Sequence, residues 1–152
     1  MLKRLLTTEN DGATTLLRLA LGVIFFAHGA QKMLGWFGGY GFSGTMGFLT
    51  GTLHIPAPLA FLAIAAEFFG SMGLLIGFLT RLAGFGILTN MLVAIATVHH
   101  RFGFFMNWTG LQKGEGFEFH LLVLAIAVYL IIRGAGALSV DRLLSSRANS
   151  KV

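Results

Sequence analysis

Hydrophobic and polar positions fall along this chain in long blocks rather than in residue-by-residue alternation. A polar stretch over 1–13 carries Lys3, Arg4, Glu9 and Asp11. An apolar run follows over 14–34, broken by Arg18 near its start and by His28, Gln31 and Lys32 near its end. Three further apolar runs cover about 58–79, 82–99 and 116–132. A helix rises about 1.5 Å per residue, so about 20 residues cross a hydrocarbon core of about 30 Å. The pattern predicts an all-α integral membrane protein, a four-transmembrane-helix bundle with spans over 14–34, 58–79, 82–99 and 116–132. Pro56 and Pro58 suit the first turn of the second helix, where a missing N–H costs no hydrogen bond. Thr80 and Arg81 leave room only for a tight link between the second helix and the third.

Two segments interrupt the runs. Residues 35–57 and 100–116 are rich in glycine and aromatics, and both read as interfacial segments folded over one mouth of the bundle, the first interfacial or partly re-entrant. They carry Trp36 and Trp108, residues that favour the headgroup layer. The domain plan is therefore an N-terminal segment over 1–13, a membrane domain over 14–137 and a tail over 138–152. The first apolar run is long and leads into polar residues, so it reads as a retained helix and not as a cleaved signal. Ala63, Ala66, Gly70, Gly73 and Gly77 form a small-residue stripe on the second helix, the kind that lets helices approach closely in lipid. Glu67 lies beside that stripe and should face the interior.

Charge sets the orientation. With four spans, both termini share a side with the turn at Arg81. That side holds Lys3, Arg4, Arg18, Arg81, Arg133, Arg142, Arg147 and Lys151, whereas the other holds Lys32, Arg101 and Lys113. Positive residues stay in the cytoplasm, so both termini are expected inside a bacterial inner membrane and the two long loops outside. Composition agrees. The chain is 55% hydrophobic and 11% charged, against about 25% charged in soluble domains, so it lacks the polar groups to cover a surface in water. The net charge of +5 is accounted for by helix ends and tails, and no basic face for nucleic acid is present. The chain has no cysteine, which rules out a disulfide, a thiolate metal site or a dithiol couple of its own.

Ionisable side chains are costly inside a bilayer and mark candidate sites. His28, Gln31 and Lys32 share a face of the first helix at spacings of three and four. Glu67 sits at mid-depth on the second, and Asn90 on the third, with His99 and His100 at that helix's end. Glu118 and His120 open the fourth. Glu67, His28 and His120 are the candidate reactive groups, and counting helix rise sets Glu67 about 5 Å from the level of His28. Gln31, Lys32, Asn90, His99, His100, Glu118, Trp36 and Trp108 are candidate binding residues. Plain structural roles stand beside these: Lys32 snorkelling to the surface, His99 and His100 as interfacial residues, Arg18 as a snorkelling anchor, and Glu67 in a structural hydrogen bond. A pocket of this chemistry fits a quinone, which needs an apolar slot and donors at its carbonyls. Haem or a metal ion fits less well, because no HExxH-type or CxxCH spacing is present, and no metal ligands are assigned.

The ordered set RLALGVIFFAHGAQKMLGWFGG, HIPAPLAFLAIAAEFFGSMGLLIGFLTRLAG, GFEFHLLVLA and RGAGALSVDRLL resembles the DoxX family of bacterial membrane proteins over about residues 16–144. The resemblance implies a four-helix inner-membrane protein associated with redox chemistry, since the related DoxD group is linked with thiosulfate:quinone oxidoreductase. It implies no agreed catalytic residues. A subunit or accessory of a membrane redox system, with an oxidoreductase partner or a homo-oligomer in the bilayer, is the expected function. A small solute or proton transporter and a non-catalytic scaffold are the alternatives.

Overall fold

The structure is a computed structural model that describes residues 5–149. Every regular element among them is helical, in the order α1 (Gly12–Leu34), α2 (Gly41–Gly47), α3 (Ala57–Ile76), α4 (Thr80–Thr97), α5 (Glu118–Arg133) and α6 (Val140–Asn149). Short 3-10 turns occupy Trp36–Gly38 and His99–Phe102, and a wider π turn, Phe48–Thr52, extends α2.

α1 starts where Asp11 caps it, its carboxylate accepting from the amides of Ala13 and Thr14 at 3.2 and 3.0 Å. The Thr14 hydroxyl also donates to Asp11, and this bond together with the Thr14 amide holds the carboxyl below its ordinary value of 3.8. The helix stops at Gly35, which takes the left-handed conformation at φ 76°. Its buried residues include Thr14, Arg18, Leu21, Phe25 and Gly29, a repeat of three and four that turns one face inward. α3 begins after Pro56 and ends at Gly77, again left-handed.

α1 packs on α3, α3 on α4 and α4 on α5, with a thinner contact from α5 back to α1. Leu21, Phe25, Leu74, Ile87, Met91, Val123 and Leu130 fill the space between them. On the outside, Leu16, Val23, Leu62, Phe69, Ile76, Phe85 and Leu122 are exposed around all four helices. α1, α3 and α4 are each long and apolar enough to cross a membrane, and α5 has 16 residues. The outward greasy surface is what a chain solvated by lipid presents.

Two expectations change. The tight link expected at Thr80 and Arg81 lies earlier, at Gly77–Leu79, and both residues belong to the first turn of α4. The reason is remote in sequence: Asp141 accepts from the amides of Leu79 and Thr80 at 2.8 and 3.0 Å, and so caps α4 from 61 residues away. Arg18 is not a snorkelling anchor. It is 1% exposed and lies inside the bundle. The small-residue stripe does pack helices: a Cβ on Gly86 would sit 3.0 Å from that of Ala66, and one on Gly70 would sit 3.7 Å from that of Ala83.

Candidate functional site

The site begins with a glycine. A Cβ on Gly29 of α1 would lie 2.7 Å from the Cα of Phe68 and 2.9 Å from the carbonyl carbon of Glu67, so only glycine lets the two backbones meet. One turn further along α1, Lys32 reaches across that contact and forms an ion pair with Glu67 of α3. The Glu67 side chain is 5% exposed and that of Lys32 is 37% exposed. From α4, the Asn90 amide donates to the carbonyl of Ala63 at 2.8 Å and to the second Glu67 oxygen at 3.4 Å. Three helices therefore converge on one buried carboxylate.

A second pair sits beside it. His120 of α5 is buried, and its ring lies 4.1 Å from that of His99, tilted by 46°. His99 Nδ1 donates to the Glu115 carbonyl at 2.8 Å, which leaves Nε2 of the neutral ring as an acceptor. The buried Nδ1 of His120 has no hydrogen-bond partner. Such an atom is unusual and calls for an explanation. His28 and Lys32 both lie within electrostatic reach of His120. His28 itself is exposed, its ring 6.2 Å from that of Phe25. The Glu67 carboxylate pairs with Lys32 and Asn90. Among the described residues no three His, Asp or Glu side chains converge as a metal-binding set. The groups that do converge are hydrogen-bond donors and acceptors.

The other sequence candidates hold the loops. Gln31 donates to the Phe37 carbonyl at 3.2 Å. Glu118 accepts from the amide of Met106 at 2.8 Å and from the Trp108 indole at 2.9 Å, so it pins 100–116 over the start of α5. Trp36 is exposed and packs edge-on against Phe37. His100 is exposed and turned back to the Ile95 carbonyl at 3.1 Å, away from His120.

Sequence reasoning missed a polar cluster at the opposite end, where Thr7 and residues 131–141 meet the α3–α4 turn. Arg18 Nη2 donates to the Leu138 carbonyl at 3.3 Å, and the guanidinium lies in the field of Asp141. Gly77 makes room for it, since a Cβ there would sit 1.8 Å from Nη1. Arg81 donates to the carbonyls of Ile131, Ile132 and Thr7. The available signal was the period of α1, which sets Arg18 on the same stripe as Leu21 and Phe25.

Comparison with known proteins sets these features in a family. A family model described as DoxX matches residues 13–100. A Bacillus subtilis protein named "Putative oxidoreductase CatD" is 30% identical over 128 residues, 84% of each chain. An Escherichia coli protein named "Inner membrane protein YqjF" is 30% identical over 142 residues, 90% of this chain and 95% of that one. No solved structure matches.

Proposed function

The chain belongs to the DoxX family, and from that membership we propose that it is a subunit or accessory of a membrane redox system whose polar centre holds a quinone headgroup. The observation that carries the proposal is the meeting of Lys32, Glu67 and Asn90 from three helices, with the unpartnered Nδ1 of His120 nearby. The similarity to a protein named as an oxidoreductase supports the redox class. A quinone offers two carbonyl acceptors on an apolar ring. Lys32 keeps donors beyond its bond to Glu67, and His120 keeps the hydrogen-bonding capacity of Nδ1, so the donor set fits such a head. When bound, the quinone would supply the electron acceptor. The chain's own part is to bind the carbonyls, to exclude water through its apolar core, and to hold a proton at Glu67, which Lys32 connects to the more exposed end.

The setting proposed for this is a bacterial inner membrane crossed four times, with both termini cytoplasmic. α5, at about 24 Å, makes the fourth crossing together with the apolar residues at its ends. The two glycine- and aromatic-rich loops then lie at the outer face.

The test is extraction and mass spectrometry of the gently purified protein after exposure to excess ubiquinone. Wild type is expected to retain quinone, and Glu67→Gln to lose it while keeping its helical signal and elution volume. Equal retention by the two, or none by wild type, sinks the proposal.

A further inference from the structure

α6 is turned the opposite way from a helix on a protein in water. Its acid faces the bundle: Asp141 is buried, caps α4 through Leu79 and Thr80, and gives its own amide to the Gly77 carbonyl at 2.9 Å. Its leucines face away, Leu143 being 51% exposed and Leu144 37% exposed, and Leu138 just before the helix is 88% exposed. A surface helix in water buries its leucines and exposes its charges. The reverse arrangement is stable where the medium beyond the helix is itself apolar, as at the boundary between lipid headgroups and acyl chains.

Charge says which lipid. Counted along the sequence, the segments on the α6 side of the membrane carry Lys3, Arg4, Arg18, Arg81, Arg133, Arg142, Arg147 and Lys151 against Glu9, Asp11 and Asp141. All three acids are engaged: Glu9 with Arg133, Asp11 with the first amides of α1, and Asp141 with those of α4. The segments on the loop side carry three cations and three acids, so by sequence the formal surplus of +5 belongs to the segments on the α6 side. On α6, the Arg142 guanidinium donates, among the described residues, to a neutral side-chain partner, Asn10.

We propose that α6 is an interfacial helix that binds anionic phospholipid, with Leu138, Leu143 and Leu144 in the acyl boundary and with Arg142 and Arg147 supplying the charge. Basic residues on an amphipathic helix next to a membrane segment are the usual receptor for acidic headgroups.

The absence of cysteine makes the test clean. Full-length protein in liposomes of phosphatidylglycerol and phosphatidylcholine is labelled with a fluorophore at Leu143→Cys or at Ser146→Cys. Quenchers are supplied in the acyl chains or in the water. The label at 143 should be quenched from the lipid and the label at 146 from the water. Native mass spectrometry should show phosphatidylglycerol retained over phosphatidylcholine. Arg142→Gln/Arg147→Gln should cut that preference about 25-fold, about fivefold per arginine, whereas Arg101→Gln/Lys113→Gln at the other end leaves it unchanged. Water quenching at 143, protection there from both quenchers (a second copy or another protein covering the face), equal retention of the two lipids, or an equal loss in the control pair each overturns the proposal.

Discussion

At the end of the bundle beside the α3–α4 turn, Arg18 and Arg81 give their hydrogen bonds to backbone carbonyls, and Asp141 accepts from backbone amides. Toward the loop end, the buried Glu67 carboxylate instead meets other side chains, those of Lys32 and Asn90, and the ring of His120 lies against that of His99. Both ends place charge in apolar surroundings, but the chemistry open to them differs. A backbone partner has no second protonation state and cannot leave, so the first arrangement fixes helices to one another. Side-chain partners can exchange a proton or yield to a ligand, so the second can work. The contrast separates buried groups held by the backbone from a buried carboxylate held by side chains, although a sequence would mark both equally.

The sharpest way to break this comparison is Asp141→Ala. It removes both amide caps of α4 and leaves Arg18 buried without its nearest anion, and we expect a loss of about 3 kcal/mol or more in micellar unfolding. Lys32→Met leaves Glu67 without its counter-ion, but a carboxyl so placed can take up a proton and keeps its bond from Asn90, so the expected cost is smaller, about 2 kcal/mol. A larger loss from Lys32→Met than from Asp141→Ala, measured side by side, reverses the assignment of the two ends. Adding Glu67→Leu to Lys32→Met should then recover stability to within about 1 kcal/mol of wild type, since a buried ion pair is often replaceable by apolar groups, and ligand retention should stay absent. Glu118→Gln weakens the clasp on Trp108 and should cost about 1 kcal/mol, with a shift in tryptophan emission as its readout.

The smallest effect concerns acid. Asp11 is held below 3.8 by Thr14, so its contribution to stability is complete above that value and fades as pH falls through the lower folded value. Asn also caps helices, so Asp11→Asn should keep the fold at neutral pH and flatten the decline between about pH 5 and 2. An unchanged acid limb in that variant contradicts the role given to Asp11.

The four long helices were legible because each is a nearly unbroken apolar run, but the inward face of α1 was missed, since Arg18 on that face reads as a snorkelling anchor. Glu67 could be placed inside because it lies beside a stripe of small residues, and Lys32 could be grouped with His28 and Gln31 on one face of α1 by its spacing, whereas the backbone contact at Gly29 was not read. What could not be read were partners far apart in sequence. Nothing near residue 80 announces that Asp141 will begin α4, and nothing near Arg18 shows that residues 136–139 fold back over it. The glycine-rich loops were opaque for a related reason: their shape rests on single contacts such as Glu118 with Trp108, and no periodic pattern encodes those.

The contact at Gly29 acts as a fulcrum. The backbones of α1 and α3 touch there, so any rocking of one helix against the other pivots about that point. Lys32 stands only about 4.5 Å beyond the pivot along the axis, and the start of α1 at Gly12 about 25 Å before it. A lever with arms so unequal shrinks motion on its short side: a swing of about 5 Å at the far end moves the Lys32 backbone by less than about 1 Å. The ion pair with Glu67 is thereby isolated from disturbances at the start of α1, and the geometry around that carboxylate can hold while the other end of the bundle shifts.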